Sequence, residues 1–281
     1  MRLPNFGYHL ARAKGRVLRR IYTALLPVIV RRRVHSPRAV ALDVFAYSNE
    51  QMLPEQIRSI RSFLRHVGRP RSFTVVSDGS HTERSIRLLT QVDPNVTVRA
   101  AATNISNELP HKFREYLNSH PTGKQLALIM TLPLQGPALY TDADVLFFAG
   151  ASDLLRCLEQ RSVPALYLPD CRFSGDERLL RDVAERKEPV NTGFLVLFAP
   201  LDWKLAIERF CLLDGAPEFF TNQTLTHLAI HANGARPLDP AKYVVQLDDQ
   251  FIYPDRYAGP RLALRHYVNP VRHKFWAHFA S

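Results

Sequence analysis

Cysteine is scarce in this chain. Its 281 residues hold three, Cys157, Cys171 and Cys211. No two stand as Cys-x-x-Cys, so the usual zinc and dithiol spacings are missing, and an odd count argues against a disulfide framework. A reducing compartment suits such a chain. Long apolar runs are missing as well. The longest early one, 21–30, is interrupted by Pro27 and followed by Arg31-Arg32-Arg33. It is too short to span a bilayer, and no small-residue cleavage site follows it. Acid is missing from residues 1–40, which carry ten basic side chains: Arg2, Arg12, Lys14, Arg16, Arg19, Arg20, Arg31, Arg32, Arg33 and Arg38. The net charge of the whole chain is +11, so the remainder is close to neutral. The basicity belongs to an N-terminal arm, and no nucleic-acid partner is implied. Hydrophobic residues make up 46% and charged residues 22%, which fits a globular protein with one large core.

The pattern divides the chain into an arm, 1–38, and a domain, 39–281. In the arm, residues 8–26 fit an amphipathic helix. Leu10, Val17, Leu18, Ile21 and Leu25 share a face at helical spacing. Arg12, Arg16, Arg19 and Arg20 lie mostly opposite, with Lys14 on the apolar side. An apolar stripe beside a cationic face suits a helix lying in an anionic membrane surface. Docking on its own domain or on a sister subunit is the plainer alternative. We expect residues 8–33 to meet an anionic membrane, with the protein cytoplasmic and peripheral. In the domain, strands at 40–46, 73–76 and 96–101 alternate with helices at 54–66 and 82–91. Further strands fall at 138–148, 165–168 and 194–198, and further helices at 124–134, 202–213 and 219–231. Alternation of this kind predicts a largely parallel α/β sheet with helices on both faces. Ligands then bind beyond the carboxyl ends of the strands, where Tyr47, Asp78 and an acidic pair would gather. The segments 102–122 and 169–189 are irregular.

The acidic pair lies in Ala138-Leu139-Tyr140-Thr141-Asp142-Ala143-Asp144-Val145-Leu146-Phe147-Phe148. Two carboxylates stand one residue apart inside an apolar run that reads as a buried strand. In an extended segment, residues i and i+2 point the same way, so both can face one point. Two unpaired buried charges are costly. A hard divalent cation, Mg²⁺ or Mn²⁺ shared with a diphosphate, would relieve that cost.

Other segments stand in order around this pair. Phe45-Ala46-Tyr47-Ser48-Asn49-Glu50 follows the first strand, and Lys124 precedes Asp142 by eighteen residues. Val190-Asn191-Thr192-Gly193-Phe194 opens a later strand, and Asn222-Gln223 sits in a helix. The chain closes with His266-Tyr267-Val268-Asn269-Pro270-Val271-Arg272-His273-Lys274-Phe275-Trp276. Together, over 40–276, these segments resemble the GT-A glycosyltransferases, in particular glycosyltransferase family 8, which includes the glycogenin-like and bacterial lipopolysaccharide galactosyl- and glucosyltransferases. The last segment is similar to the family's His-x-x-Gly-x-x-Lys-Pro-Trp, but lacks the Gly, is two residues longer from His to Lys, and has Phe275 for Pro. Asn222 stands where the family usually has Asp.

The resemblance implies a single GT-A domain, Rossmann-like, after the basic helix. It implies a metal-dependent hexosyltransferase that moves a sugar from a nucleotide-diphosphate donor, UDP-linked, to a saccharide or lipid-linked acceptor, with retention of configuration. It implies Mn²⁺ or Mg²⁺ on Asp142, Asp144 and His266, with Asp142 also reaching the ribose. Ala46, Tyr47, Ser48, Asn49, Asp78, Lys124, Asp142, Ala143, Asp144 and Lys274 would bind the donor. Gln223, Asn191 and Lys274 would serve the reaction, the first two at the sugar and Lys274 on the diphosphate. The aromatic tail Phe275-Trp276-Ala277-His278-Phe279 would fold over the diphosphate as a lid. No nucleophile is evident near Asn222-Gln223, which favours front-face return over a covalent intermediate. Asp248-Asp249 reads as a solvated turn. Among rival readings, a haloacid-dehalogenase-like phosphatase would carry its Asp-x-Asp on the first strand, and a nucleotidyltransferase would need a Gly-rich N-terminal loop. A non-catalytic membrane-surface adaptor on a degenerate transferase scaffold is the rival from another class.

Overall fold

The computed structural model describes residues 6–101, 105–159, 162–251 and 255–277. Along the chain run α1 (Phe6–Ile29), β1 (Ala39–Ser48), α2 (Leu53–His66), β2 (Arg69–Ser77), α3 (Glu83–Thr90), β3 (Val96–Ala100), α4 (His111–Ser119) and α5 (Pro121–Met130). There follow β4 (Ala138–Thr141), β5 (Val145–Phe147), α6 (Asp153–Glu159), β6 (Ala165–Pro169), β7 (Val190–Leu197), α7 (Lys204–Cys211) and α8 (Thr221–Ala232). Last come β8 (Arg236–Pro237), β9 (Tyr243–Val244), β10 (Leu264–His266) and a 3₁₀ turn, Arg272–Trp276.

A seven-stranded sheet takes the order β3-β2-β1-β4-β7-β6-β8. Its strands are parallel except β7, which runs against both neighbours. Period-two alternation feeds two cores. Leu42, Val44 and Ala46 of β1 join the core under α2, while Phe45 joins the core under α5 and α8. Likewise Leu139 of β4 turns one way, and Ala138 and Tyr140 the other. A helix over 54–66 forms as expected: Pro54 sits in the first turn of α2, and Ile57, Ile60, Phe63 and Leu64 face the core.

One expectation is corrected here. The run 138–148 is not one strand. It breaks after Thr141, and β5 leaves for a second, three-stranded sheet, β5-β10-β9. Asp142 and Asp144 therefore lie on the turn between two sheets, closed by the Val145 N–H donating to Asp142 O at 3.3 Å. The helix α1 docks on the domain through Ala11, Gly15, Tyr22 and Leu26, with Leu18 of the stripe partly buried against the core. A β-carbon on Gly15 would come within 2.7 Å of the His273 carbonyl oxygen, so the glycine permits the close approach. Tyr22 packs on Trp276 with ring centroids 5.1 Å apart, and Arg19 pairs with both oxygens of Glu55. Leu10, Val17, Ile21 and Leu25 are left 73%, 53%, 43% and 43% exposed. Among the described residues, no helix is long and apolar enough to cross a membrane.

Of the two irregular segments, 102–104 lie outside the described residues and the first otherwise contains α4. The second contains two 3₁₀ turns, Glu177–Leu179 and Val183–Arg186.

Candidate active site

The carboxyl end of β4, the turn after it and the end of β10 meet at one point. β10 pairs antiparallel with β5 and sets His266 opposite Val145. The Tyr267 N–H donates to Asp144 O at 2.9 Å, and the Asp142 N–H donates to Gly193 O at 2.9 Å. Three elements thus fix the backbone of the acidic turn. His266 Nε2 lies 3.0 Å from Asp144 Oδ1 and 3.6 Å from Asp142 Oδ2. One ligand atom from each of Asp142, Asp144 and His266 lies within 4.8 Å of the others. Asp144 and His266 are buried, and Asp142 is partly open.

Each member of this set is held from behind. His266 Nδ1 lies 2.8 Å from Asn191 Oδ1, which also accepts the Gly193 N–H. Only glycine fits at 193, because a β-carbon there would come within 2.2 Å of His266 Cε1. With Nδ1 engaged by Asn191, Nε2 is the ring atom turned to the carboxylates. Asp142 Oδ1 accepts from the Tyr140 hydroxyl at 2.7 Å and from Gln125 Nε2 at 3.0 Å. Asn222 Nδ2 donates to Gln125 Oε1, which ties α8 through α5 to the acidic turn. Arg272 Nη2 donates to Asp144 Oδ2.

The electrostatics follow from these contacts. Burial pushes the Asp144 carboxyl up, but the charges of His266 and Arg272 outweigh it and bring it to about 2. Asp142 is raised, by burial first and by Asp144 beside it, against the pull of His266. Burial disfavours charge on His266, and Asp144 and Asp142 together raise it nonetheless. Two carboxylates and an imidazole with its far nitrogen anchored form a donor set suited to a divalent cation.

A second cluster adjoins the first through Asn191. Its Nδ2 donates to Asp170 Oδ2 at 2.9 Å, and Gln223 Nε2 approaches the same oxygen at 3.3 Å while donating to Ser174 O at 2.8 Å. Gln223, Asp170, Asn191, His266, Asp144 and Arg272 therefore form one hydrogen-bonded chain. Asp170 and Arg272 are absent from the sequence-based site. Asp170 is the first acid after β6, at a strand's carboxyl end, which is the signal that could have found it.

Tyr47 and Ser48 end β1, and their hydroxyls are buried with no hydrogen-bond partner among the described residues. Burial, then the Asp78 charge, pushes the Tyr47 hydroxyl up to about 12. Ala46 is buried in the sheet and Ala143 in the acidic turn. Asn49 caps the next 3₁₀ turn by accepting the Met52 N–H, and Asp78 accepts from the Ser80 N–H and hydroxyl, so both side chains have local work. On α5, Gln125 reaches Asp142; Lys124, its neighbour, makes no side-chain hydrogen bond or ion pair among the described residues.

Lys274 is a correction. It is 2% exposed, and its Nζ lies 2.8 Å from Asp249 Oδ2. Asp249 is itself wholly buried and receives both Nη atoms of Arg265, so Asp248-Asp249 is not a solvated turn either. Arg265 also pairs with Asp255, which accepts the Tyr267 hydroxyl. The lid is corrected with it: Phe275 and Trp276 are core residues, packed on Tyr267 and Tyr22. His278 and Phe279 lie outside the described residues.

No family profile and no curated protein matches the chain. Solved structures do. The galactosyltransferase LgtC, in complex with donor and acceptor sugar analogs, superposes with a TM-score of 0.54 at 15% identity, over 81% of this chain and 87% of that one. Mouse xyloside xylosyltransferase 1 in its apo form gives 0.54 at 12% identity, over 84% of this chain and 99% of that one. The glycosyltransferase GlyE of Streptococcus pneumoniae TIGR4 gives 0.51 at 14% identity, over 87% of this chain and 61% of that one. The sheet order, the acidic turn at its carboxyl edge and these superpositions agree: the chain has the GT-A glycosyltransferase fold.

Proposed function

We propose that this protein transfers a sugar from a nucleotide-diphosphate donor, UDP-linked, to a saccharide or lipid-linked acceptor, with retention and with Mn²⁺ or Mg²⁺. The observation that carries this reading is the convergence of Asp142, Asp144 and His266 at the carboxyl edge of a GT-A sheet, with Arg272 on Asp144. Asp142, Asp144 and His266 would hold the cation, which supplies countercharge for the departing diphosphate. Arg272 takes the cationic role first expected of Lys274, and its fork can meet two phosphate oxygens at once. The unpartnered hydroxyls of Tyr47 and Ser48 offer hydrogen bonds to the nucleotide.

Asn191, Gln223 and Asp170 face the sugar in this reading. The two amides hold the Asp170 carboxylate in place, where it stabilises positive charge developing at the anomeric carbon. Front-face return of the acceptor oxygen then gives retention.

The membrane belongs to the same reading. α1 leaves Leu10, Val17 and Ile21 exposed beside Arg12, Arg16 and Arg20, also exposed. An apolar ridge flanked by arginines suits shallow insertion into the anionic, cytoplasmic leaflet, where a lipid-linked acceptor is presented. Incubating the protein with a panel of nucleotide sugars and Mn²⁺ tests the catalytic part. Metal-dependent release of UDP from at least one donor is expected; no release from any donor, with or without acceptor, would refute it.

A further inference from the structure

Between α1, α2 and β5 lies a pocket of about 310 Å³. Arg32, Arg58, Arg61, Arg65 and His66 line it, and no acidic residue does. Apolar side chains, Tyr22, Ile29 and Phe147 among them, line it as well. Among the described residues, no carboxylate pairs with Arg32, Arg61 or Arg65. The nearby Glu55 is already taken by Arg19.

The guanidiniums are arranged rather than scattered. Arg58 donates to Phe275 O at 2.7 Å and lies over the rings of Phe275 and Trp276, which anchors it in the pocket wall. Arg61 donates to Arg32 O at 2.8 Å, which brings the end of α1 against α2. Burial lowers Arg58 to about 10, and burial together with the charges of Arg65 and Arg32 lowers Arg61. Arg32, Arg61 and Arg65 are thus gathered in a half-buried space with no carboxylate paired to them among the described residues. Such gathering is unfavourable unless an anion with several acceptor oxygens neutralises it.

The pocket's position points to the source of that anion. Leu25 lines the pocket and also belongs to the exposed ridge of α1, with Ile21 on one side and Val28, 51% exposed, on the other. An apolar ridge in the acyl region would hold the pocket at the level of the lipid headgroups. We propose that this pocket is a phosphate-binding site, separate from the sugar-transfer site, that takes the phosphate of an anionic lipid headgroup. It rests on the reading of α1 as a membrane contact and adds to it a specific seat for one lipid phosphate.

Two doubly substituted proteins separate a seat from diffuse attraction. Arg32→Gln with Arg65→Gln removes two exposed charges from the pocket. Arg12→Gln with Arg16→Gln removes two exposed charges from α1 outside the pocket. Binding to phosphatidylcholine vesicles containing phosphatidic acid is measured by sedimentation, and binding of inorganic phosphate by calorimetry. The pocket pair should weaken vesicle binding by about tenfold or more and abolish the phosphate signal; the control pair should weaken vesicle binding by only about threefold and leave the phosphate signal. Equal losses in the two proteins would overturn the seat and leave a diffuse cationic surface. Phosphate binding that survives the loss of Arg32 and Arg65 would overturn it too. Phosphate binding without any preference for phosphatidic acid vesicles would overturn the lipid source and leave a soluble phosphate. Serine at Leu10, Val17 and Ile21 should lower vesicle binding yet keep the phosphate signal, so failure of the membrane reading and failure of the pocket are distinguishable. Circular dichroism confirms that each variant is folded.

Discussion

The Nδ1 atom of His266 lies 2.8 Å from Oδ1 of Asn191, a residue 75 positions earlier on β7. This one contact joins the acidic turn to the Asp170–Gln223 cluster and sets which imidazole nitrogen faces Asp142 and Asp144. Loss of such an outer contact typically lowers metal affinity about 10–100-fold. Asn191→Ala should do so, and Gly193→Ala should do the same by driving its new methyl into the imidazole. Titration of Mn²⁺ in the presence of UDP measures both. Wild-type affinity in either variant would show that the imidazole is not a ligand.

Asp144→Ala removes the carboxylate that contacts both His266 and Arg272. It should abolish the enhancement of UDP binding by Mn²⁺ while the protein stays folded. Calorimetry with and without the metal reads this directly. A metal effect that persists undiminished places the cation elsewhere.

Arg272 and Lys274 should part company in their effects. Arg272→Ala is expected to lower turnover by about 10²-fold or more with a smaller effect on donor binding, because leaving-group charge is greatest in the transition state. Arg272→Lys should restore part of it. Lys274→Ala leaves a buried Asp249 short of a partner and should cost about 3–5 kcal/mol of stability. Urea denaturation and donor turnover, run on both variants, distinguish the roles. The reverse pattern, a stable but inactive Lys274→Ala, would return the diphosphate to Lys274.

Acid should weaken the fold through Asp249. Burial alone would raise its pKa, but Arg265 and Lys274 hold it below the usual carboxylate range. A carboxyl depressed in the folded state contributes stability above its unfolded value, near 3.9, and loses it as pH falls through the folded value. Asp249→Asn should therefore be less stable than wild type at pH 7, and the gap should narrow in acid below about pH 4. Urea midpoints compared at the two pH values give the answer; a gap that stays constant assigns the cost to packing instead.

Serine in place of Leu10, Val17 and Ile21 should reduce salt-sensitive binding to anionic vesicles and leave the melting temperature unchanged, since the side chains are exposed. Tyr22→Ala, by contrast, should lower the melting temperature through its lost contact with Trp276. Equal vesicle binding by the serine variant would assign the ridge to some other partner.

Much of this protein is legible residue by residue. The alternation of strands and helices, the acids at 142 and 144, and the helical period of 8–26 are local signals, set by side-chain spacing over a few residues. They suffice for an α/β sheet with an acidic site at its carboxyl edge. Other features depend on what stands opposite in space. The stripe of α1 has the right period, yet Gly15 and Tyr22 dock and Leu10 and Val17 do not, because the fit against His273 and Trp276 chooses the face. Arg272, His273 and Lys274 are three basic residues in a row; on a 3₁₀ turn, neighbours point about a third of a turn apart, so only one meets Asp144. Asp170 and Asn191 have nothing local to mark them as partners, and β6 and β7 had to pair before their side chains could meet. Spacing along the chain determines which groups are available, and packing determines which of them touch.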